Sequence, residues 1–304
     1  MKKILFLVGL VLLAAACSTE ENEEAIVNNP VENPTEATAP VTVHVDGFTQ
    51  TMSGFSDAPS MTRSVQDAAN YNNVKCLTLA FYSGSTEVYK QTQLKSDNTT
   101  YTTFGEFTCN LPLGTYTLVA IGRNYWDGDE FTLTSPTVAG YTSERPRETF
   151  SHTQSVTITG TEPLALSVTL ERVVAQLSIQ STDGRPENIT KIRTTFAAGS
   201  KSFNPTTGLA LDNVGFSQTN TPSGEVDAPI NIYSIVFLNS DEQTMTITIQ
   251  ALDDDDKVVY TKVVPNVQLK RNRKTTLSGV LFSPGGSSQI KLETDWLEGN
   301  TINF

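Results

Sequence analysis

The residues of this 304-residue chain that could do chemistry are few and scattered. His44 and His152 are its only imidazoles and stand far apart, each in a strand-like or loop-like context. A zinc site needs several His, Cys or carboxylate ligands clustered at ligand spacing, so no metal site is expected. The chain carries no G-x-S-x-G elbow, no P-loop and no dinucleotide fingerprint, so no cofactor is expected either. Carboxylate pairs for sugar hydrolysis need no fixed spacing, and nothing in the sequence selects one. Asp253-Asp254-Asp255-Asp256 lacks the alternating ligands and turning glycine of a calcium loop and reads as a solvated hairpin tip. Lys270, Arg271, Arg273 and Lys274 form the one basic cluster, either a seat for a phosphate or acidic partner or an exposed entry to a strand. Tyr125-Trp126-Asp127-Gly128-Asp129 could stack on and hydrogen-bond a sugar, or fold its Trp over a core edge. None of this makes an enzyme.

Composition narrows the partners. Lys plus Arg number 21 and Asp plus Glu 33, a net charge of −12. Nucleic acid needs a basic face, and an anionic bilayer attracts basic rather than acidic proteins, so neither is a partner by charge. Thr, Val, Ser and Leu dominate where helix-forming blocks of Ala, Glu and Lys are scarce, which points to strands.

The front of the chain is a targeting segment. Lys2 and Lys3 precede an apolar run from Ile4 to Ala16, 13 residues long. A membrane-spanning helix needs about 20, so residues 1–16 read as a signal peptide. The run ends Leu13-Ala14-Ala15-Ala16-Cys17, which resembles a bacterial lipobox with its Leu one place further from the Cys than usual. That resemblance implies a mature N-terminus at Cys17, diacylated on sulfur and acylated on its amine. Two or more chains hold a protein on a membrane where a single chain is marginal. The acidic run Ser18-Thr19-Glu20-Glu21-Asn22-Glu23-Glu24 resembles the export signal of surface lipoproteins in Bacteroidetes. Residues 17–40 have no aromatic residue and read as a lipidated flexible tether. With Cys17 removed, Cys76 and Cys109 remain, an even pair that a disulfide could join in an oxidising compartment, or two buried thiols.

From Val41 onward the apolar pattern has period two. Val41, Val43 and Val45 alternate with Thr42 and His44, and Leu77, Leu79 and Phe81 share a face. Leu164, Leu166, Val168 and Leu170 give way to Val173, Ala175, Leu177 and Ile179, an even-to-odd slip that flips the buried face. The slip places a domain junction near residue 171, with an N-terminal β-sandwich over 41–170 and a C-terminal one over 171–304. Ile230 to Leu238 is apolar on both faces and reads as a central strand, Met245 to Ala251 as a half-buried one, and Ser64 to Ala69 as a short helix. Short strands separated by turns indicate an all-β sandwich or barrel.

Three stretches carry a resemblance: Val41-Thr42-Val43-His44-Val45-Asp46-Gly47-Phe48 with Thr62-Arg63; Leu170-Glu171-Arg172-Val173-Val174-Ala175-Gln176-Leu177; and Val267-Gln268-Leu269-Lys270-Arg271-Asn272 with Thr275-Thr276-Leu277-Ser278-Gly279 and Trp296. Together with the lipoprotein start they resemble the Bacteroidales fimbrillin superfamily, and within it the FimB-type minor fimbrial and anchor proteins. The resemblance implies two tandem transthyretin-like (Ig-like) sandwiches, palmitate on Cys17, an outer-membrane and fimbrial location, and other fimbrial subunits as partners. It further implies cutting after Arg63, with Val41, Val43 and Val45 in a displaceable strand that a neighbouring subunit's strand replaces. A cut there would sever the body from Cys17, so an anchor must escape it and a shaft subunit undergo it. The eight residues after Trp296 allow at most one short further strand, which favours an anchor or accessory subunit. The alternative is a surface module that binds glycan through Tyr125 to Asp129.

Overall fold

The computed structural model describes residues 37–50, 64–68, 70–97, 99–126, 128, 130–283 and 288–293, and these hold strands and turns with no helix among them. Residues 1–36, with Cys17 and most of the tether, lie outside the described residues, as do Arg63, Asp127, Asp129 and Trp296. In chain order the strands are β1 (Thr38–Gln50), β2 (Ser64–Asp67), β3 (Cys76–Ser83), β4 (Thr86–Leu94), β5 (Glu106–Pro112), β6 (Gly114–Arg123) and β7 (Phe131–Ser135). Next come β8 (Val138–Tyr141), β9 (Thr149–Ile158), β10 (Leu164–Arg172), β11 (Ala175–Ser181), β12 (Lys191–Phe196), β13 (Ser202–Asn204) and β14 (Leu209–Ala210). The last are β15 (Phe216–Asn220), β16 (Asn231–Val236), β17 (Glu242–Leu252), β18 (Val258–Lys270), β19 (Lys274–Gly279) and β20 (Ser288–Glu293).

The first half builds an eight-stranded sheet in the order β2-β1-β10-β9-β6-β3-β4, with β5 paired to β1. The second half builds two four-stranded sheets, β16-β11-β19-β20 and β15-β12-β17-β18. A fourth sheet, β14-β13-β8-β7, takes two strands from each half. Its centre is the pairing of Ser202 with Gly140 and Phe203 with Ala139. A Cβ on Gly140 would lie 2.6 Å from the Ser202 Cα, so only glycine allows the two backbones to meet there.

Burial follows the alternation. One core runs from Ala39 to Leu170, and a second from Ala175 to Phe282. The phase slip near residue 171 is where β10 ends and β11 begins, with Val173 and Val174 between them. Those two valines join a third apolar cluster with Ala80, Tyr82, Val119 and Phe237, which fuses the halves. That cluster explains why β3 is buried from Cys76 through Tyr82: odd residues face the first core and even ones the third.

Several expectations are corrected. Ser64 to Asp67 is a strand, because its backbone completes the antiparallel edge that Gly47 to Gln50 presents. Tertiary pairing here overrides a weak local propensity. Strand β1 starts at Thr38, inside the stretch read as tether. Asn231 to Val236 is an edge strand rather than a central one. Its two apolar faces have a different cause: Ile232 and Val236 enter the second core, while Ile235 and Phe237 enter the third cluster.

Candidate functional site: the seat of the first strand and a cleft at the junction

Strand β1 is inserted between two strands remote from it in sequence. It runs parallel to β10, from Val41 opposite Leu164 to Thr49 opposite Glu171. On its other side it runs antiparallel to β5, with Val41 opposite Cys109 and Val43 opposite Phe107. Ala39, Val41, Val43 and Val45 are each 1 % exposed, while Pro40, His44 and Asp46 face solvent. Full burial of such a side chain stabilises by about 1.5–3 kcal/mol. The register shifts between Val45 and Gly47, a one-residue bulge at Asp46. A bulge moves the next side chain to the other phase, and so Phe48 also enters the core.

Phe48 ties the strand to the rest of the molecule. Its ring centroid lies 4.8 Å from that of Phe150 and 5.2 Å from that of Tyr71. The Tyr71 hydroxyl donates to Glu148 Oε1 at 2.9 Å and accepts from Arg172 Nη2 at 2.7 Å. Arg172 Nε donates to the same carboxylate oxygen at 2.7 Å, and its Nη1 to Asn272 Oδ1 at 2.9 Å. The Arg172 and Glu148 side chains are 1 % and 7 % exposed. A pair this buried strongly resists loss of either member, because the survivor would be an uncompensated buried charge. Asn272 sits at φ 59° in the turn that joins β18 to β19, a conformation Asn tolerates, and its N–H donates to Val174 O at 2.8 Å. The turn between the two sheets of the second half is thereby pinned to the junction. Sequence reading had Arg172 and Asn272 within motifs but missed Glu148 and Tyr71, since the four groups converge only in the fold.

The thiols do not pair. Cys76 and Cys109 are both free. Cys76 lies on the even face of β3, away from the first core, whereas Cys109 packs against that core. A disulfide needs Cα atoms within about 7 Å and facing Cβ vectors, which residues on opposite sides of a sheet do not offer. Burial pushes the Cys109 thiol up to about 11, and burial also raises Cys76.

The other candidates are placed as follows. His44 is exposed with Nε2 3.8 Å from Asp46 Oδ1, and His152 contacts Gln154 at 3.2 Å. Among the described residues no cluster of His, Cys, Asp and Glu could hold a metal ion. Asp253 Oδ1 accepts from the N–H groups of Asp255 and Lys257 in its own turn, and Asp256 pairs with Lys191 of β12 at 2.8 Å. In the basic cluster Lys270 pairs with Glu242, Arg271 pairs with Asp241 at 2.7 Å, and Arg273 is buried. These groups border a cleft of about 610 Å³ whose charges are largely met within the protein.

A second cleft, of about 540 Å³, is lined by Trp126, Arg145, Arg147, Asn220, Asn231 and Tyr233, among others. Trp126 is 56 % exposed and Tyr233 47 %. Arg147 Cζ and Lys75 Nζ lie 5.7 and 5.4 Å from the Trp126 ring centroid. Burial, and then the neighbouring Arg145, lower the Arg147 pKa from its usual value. Trp126 is thus exposed rather than folded over a core edge.

The chain is thus an all-β protein of packed sheets whose first strand is a long-range insert. It belongs to a family of unknown function, DUF6562, whose model matches residues 34–302. No curated protein matches it. Among solved structures it is similar to a candidate polysaccharide-binding protein (DUF1812) from Bacteroides thetaiotaomicron, with TM-score 0.51 and 12 % identity over 84 % of this chain and 96 % of that one. It is also similar to a candidate adhesin from Bacteroides ovatus, with TM-score 0.50 and 11 % identity over 85 % and 94 %. The fimbrial anchor protein Mfa2 from Porphyromonas gingivalis aligns with TM-score 0.47 and 12 % identity over 84 % and 98 %.

Proposed function

We propose that this chain is a surface adhesion protein of the fimbrial type, a FimB-like anchor or minor subunit, held on the outer membrane by acylated Cys17 and assembling by strand addition. The observation that carries the reading is the seat of β1. Its alternate valines fill a core whose walls, β5 and β10, come from far along the chain. Arg63 immediately precedes β2. A cut after it would leave β1 held by backbone hydrogen bonds and burial alone. The vacated groove would then suit another alternating strand, with main-chain bonds giving affinity and side-chain pockets giving specificity. The shared fold with a candidate adhesin supports the same reading.

Cys109 is a built-in reporter, since it lies beside Val41 at the edge of the groove. Full-length protein lacking only the signal peptide is treated with an arginine-specific protease and then with iodoacetamide. Alkylation of Cys109 is expected to rise at least tenfold, to fall again on adding a β1 peptide, and to stay low in Arg63→Ala. A thiol equally protected after cleavage at Arg63 overturns strand displacement. For the anchor role, mass spectrometry of the envelope protein is expected to find acylated Cys17; unlipidated chains starting at Ser64 in purified fimbriae overturn it.

A second reading, a glycan-binding surface module, is favoured by the cleft that exposes Trp126 and Tyr233 among amide side chains. The candidate polysaccharide-binding protein of the same fold adds support.

A further inference from the structure

We infer that the Trp126 cleft recognises a carboxylated sugar, a hexuronic acid unit of an acidic polysaccharide, rather than a neutral one. The inference rests on the glycan-binding reading and adds to it the charge of the ligand.

The Arg147 guanidinium lies over the Trp126 ring but makes no hydrogen bond or ion pair among the described residues, and its Nε is buried without an acceptor. A guanidinium brings five donors in a rigid fork, and leaving such a donor dry and unmet is costly. Arg145 stands beside it and reaches only the amide oxygen of Asn220, at 3.3 Å. Neither arginine has a carboxylate counterion among the described residues. The carboxylate that follows them in sequence, Glu148, is committed to Arg172, Tyr71 and Asn73. The chain as a whole carries a charge of −12, so two guanidiniums in one cleft without a carboxylate partner among the described residues run against its overall balance.

The remaining walls describe the rest of the ligand. The exposed Trp126 ring offers an apolar plate for a sugar face. Asn231 and Tyr233 present a linked pair, with Asn231 Nδ2 donating to the Tyr233 hydroxyl at 2.7 Å. Such amides and phenols exchange readily with sugar hydroxyls. The volume, about 540 Å³, falls within the range of ordinary small-molecule sites and would hold one or two sugar units. A planar carboxylate answers the fork geometry of arginine in a way that hydroxyls cannot.

Trigalacturonate and its methyl ester are titrated calorimetrically into the protein at 0.15 M salt, with inorganic phosphate as competitor. The acid is expected to bind at least tenfold more tightly than the ester. Arg147→Gln and Trp126→Ala are each expected to weaken the acid at least tenfold with unchanged melting temperature. The acid-to-ester comparison uses the unaltered protein and is independent of whether a variant folds. Equal binding of acid and ester that still depends on Trp126 overturns this inference and leaves the glycan reading standing. Displacement of the acid by an equal concentration of phosphate shows a general anion site and overturns it. No binding of either saccharide at millimolar concentration overturns both.

Discussion

Strands β1 and β11 open the two cores in the same way and are held in different ways. Each places alternate apolar residues inward: Val41, Val43 and Val45 in one, Ala175, Leu177 and Ile179 in the other. Each lies parallel to a late strand of its own core, β1 to β10 and β11 to β19. Each is flanked antiparallel on its other edge, by β5 and by β16. The difference is in the covalent path. Strand β11 continues directly from β10 through Val173 and Val174, which are buried in the third cluster. Strand β1 reaches the rest of the fold only through residues 51–63, and Arg63 is the last of these. The same geometry is therefore joined to its chain neighbour by two buried residues in the second half and by a thirteen-residue link in the first. What distinguishes them is how the chain links each strand to its neighbour in sequence.

The largest expected effect separates the two strands outright. An unpaired carboxylate at a buried position is very costly, so Leu177→Asp is expected to abolish the native fold, seen as loss of near-ultraviolet circular dichroism. Val43→Asp is expected instead to expel β1 and leave a protease-resistant fragment that contains the second core. Equal loss of both cores in Val43→Asp breaks the comparison.

Next in size is the link between the halves. Arg172→Ala strands Glu148 as a buried charge and frees Asn272, so a loss of about 3–5 kcal/mol is expected in urea unfolding. If the unfolding midpoint moves by no more than it does for an exposed substitution, the network is not what holds the junction.

The smallest effect is alkaline. Burial raises Cys109 from 9.0 to about 11, and Tyr82, Tyr89 and Tyr141 from 10.0 to about 12. A raised acid contributes stability that is full below its unfolded pKa and is lost as pH climbs through the folded value, because the unfolded chain sheds the proton first. The first half should therefore soften between about pH 9 and 12. Among the described residues, the thiols and phenols raised in this way lie at or before Tyr141, so the second half should soften less. Hydrogen exchange resolved by segment reads this directly, and uniform softening of both halves removes the distinction.

Much of the fold was legible in the residues. Alternation alone marked β1, β3, β10, β11 and β17. Alternation reports which face is buried and says nothing about what buries it. For this reason Ile230 to Leu238 looked central although it is an edge strand covered by the third cluster. The same limit applied to Ser64 to Asp67, whose strand character comes from its partner.

The sequence by itself determined the all-β character and the inward positions of Val41, Val43 and Val45, because side-chain alternation is a local property of extended backbone. It also determined the absence of familiar catalytic motifs. Only the tertiary structure decided that β1 lies between β5 and β10, that Cys76 and Cys109 face apart, and that Glu148 serves Arg172 while the Arg147 guanidinium has no carboxylate partner among the described residues. Those facts depend on which distant residues meet, and pairings across about a hundred residues leave no periodic trace in the chain.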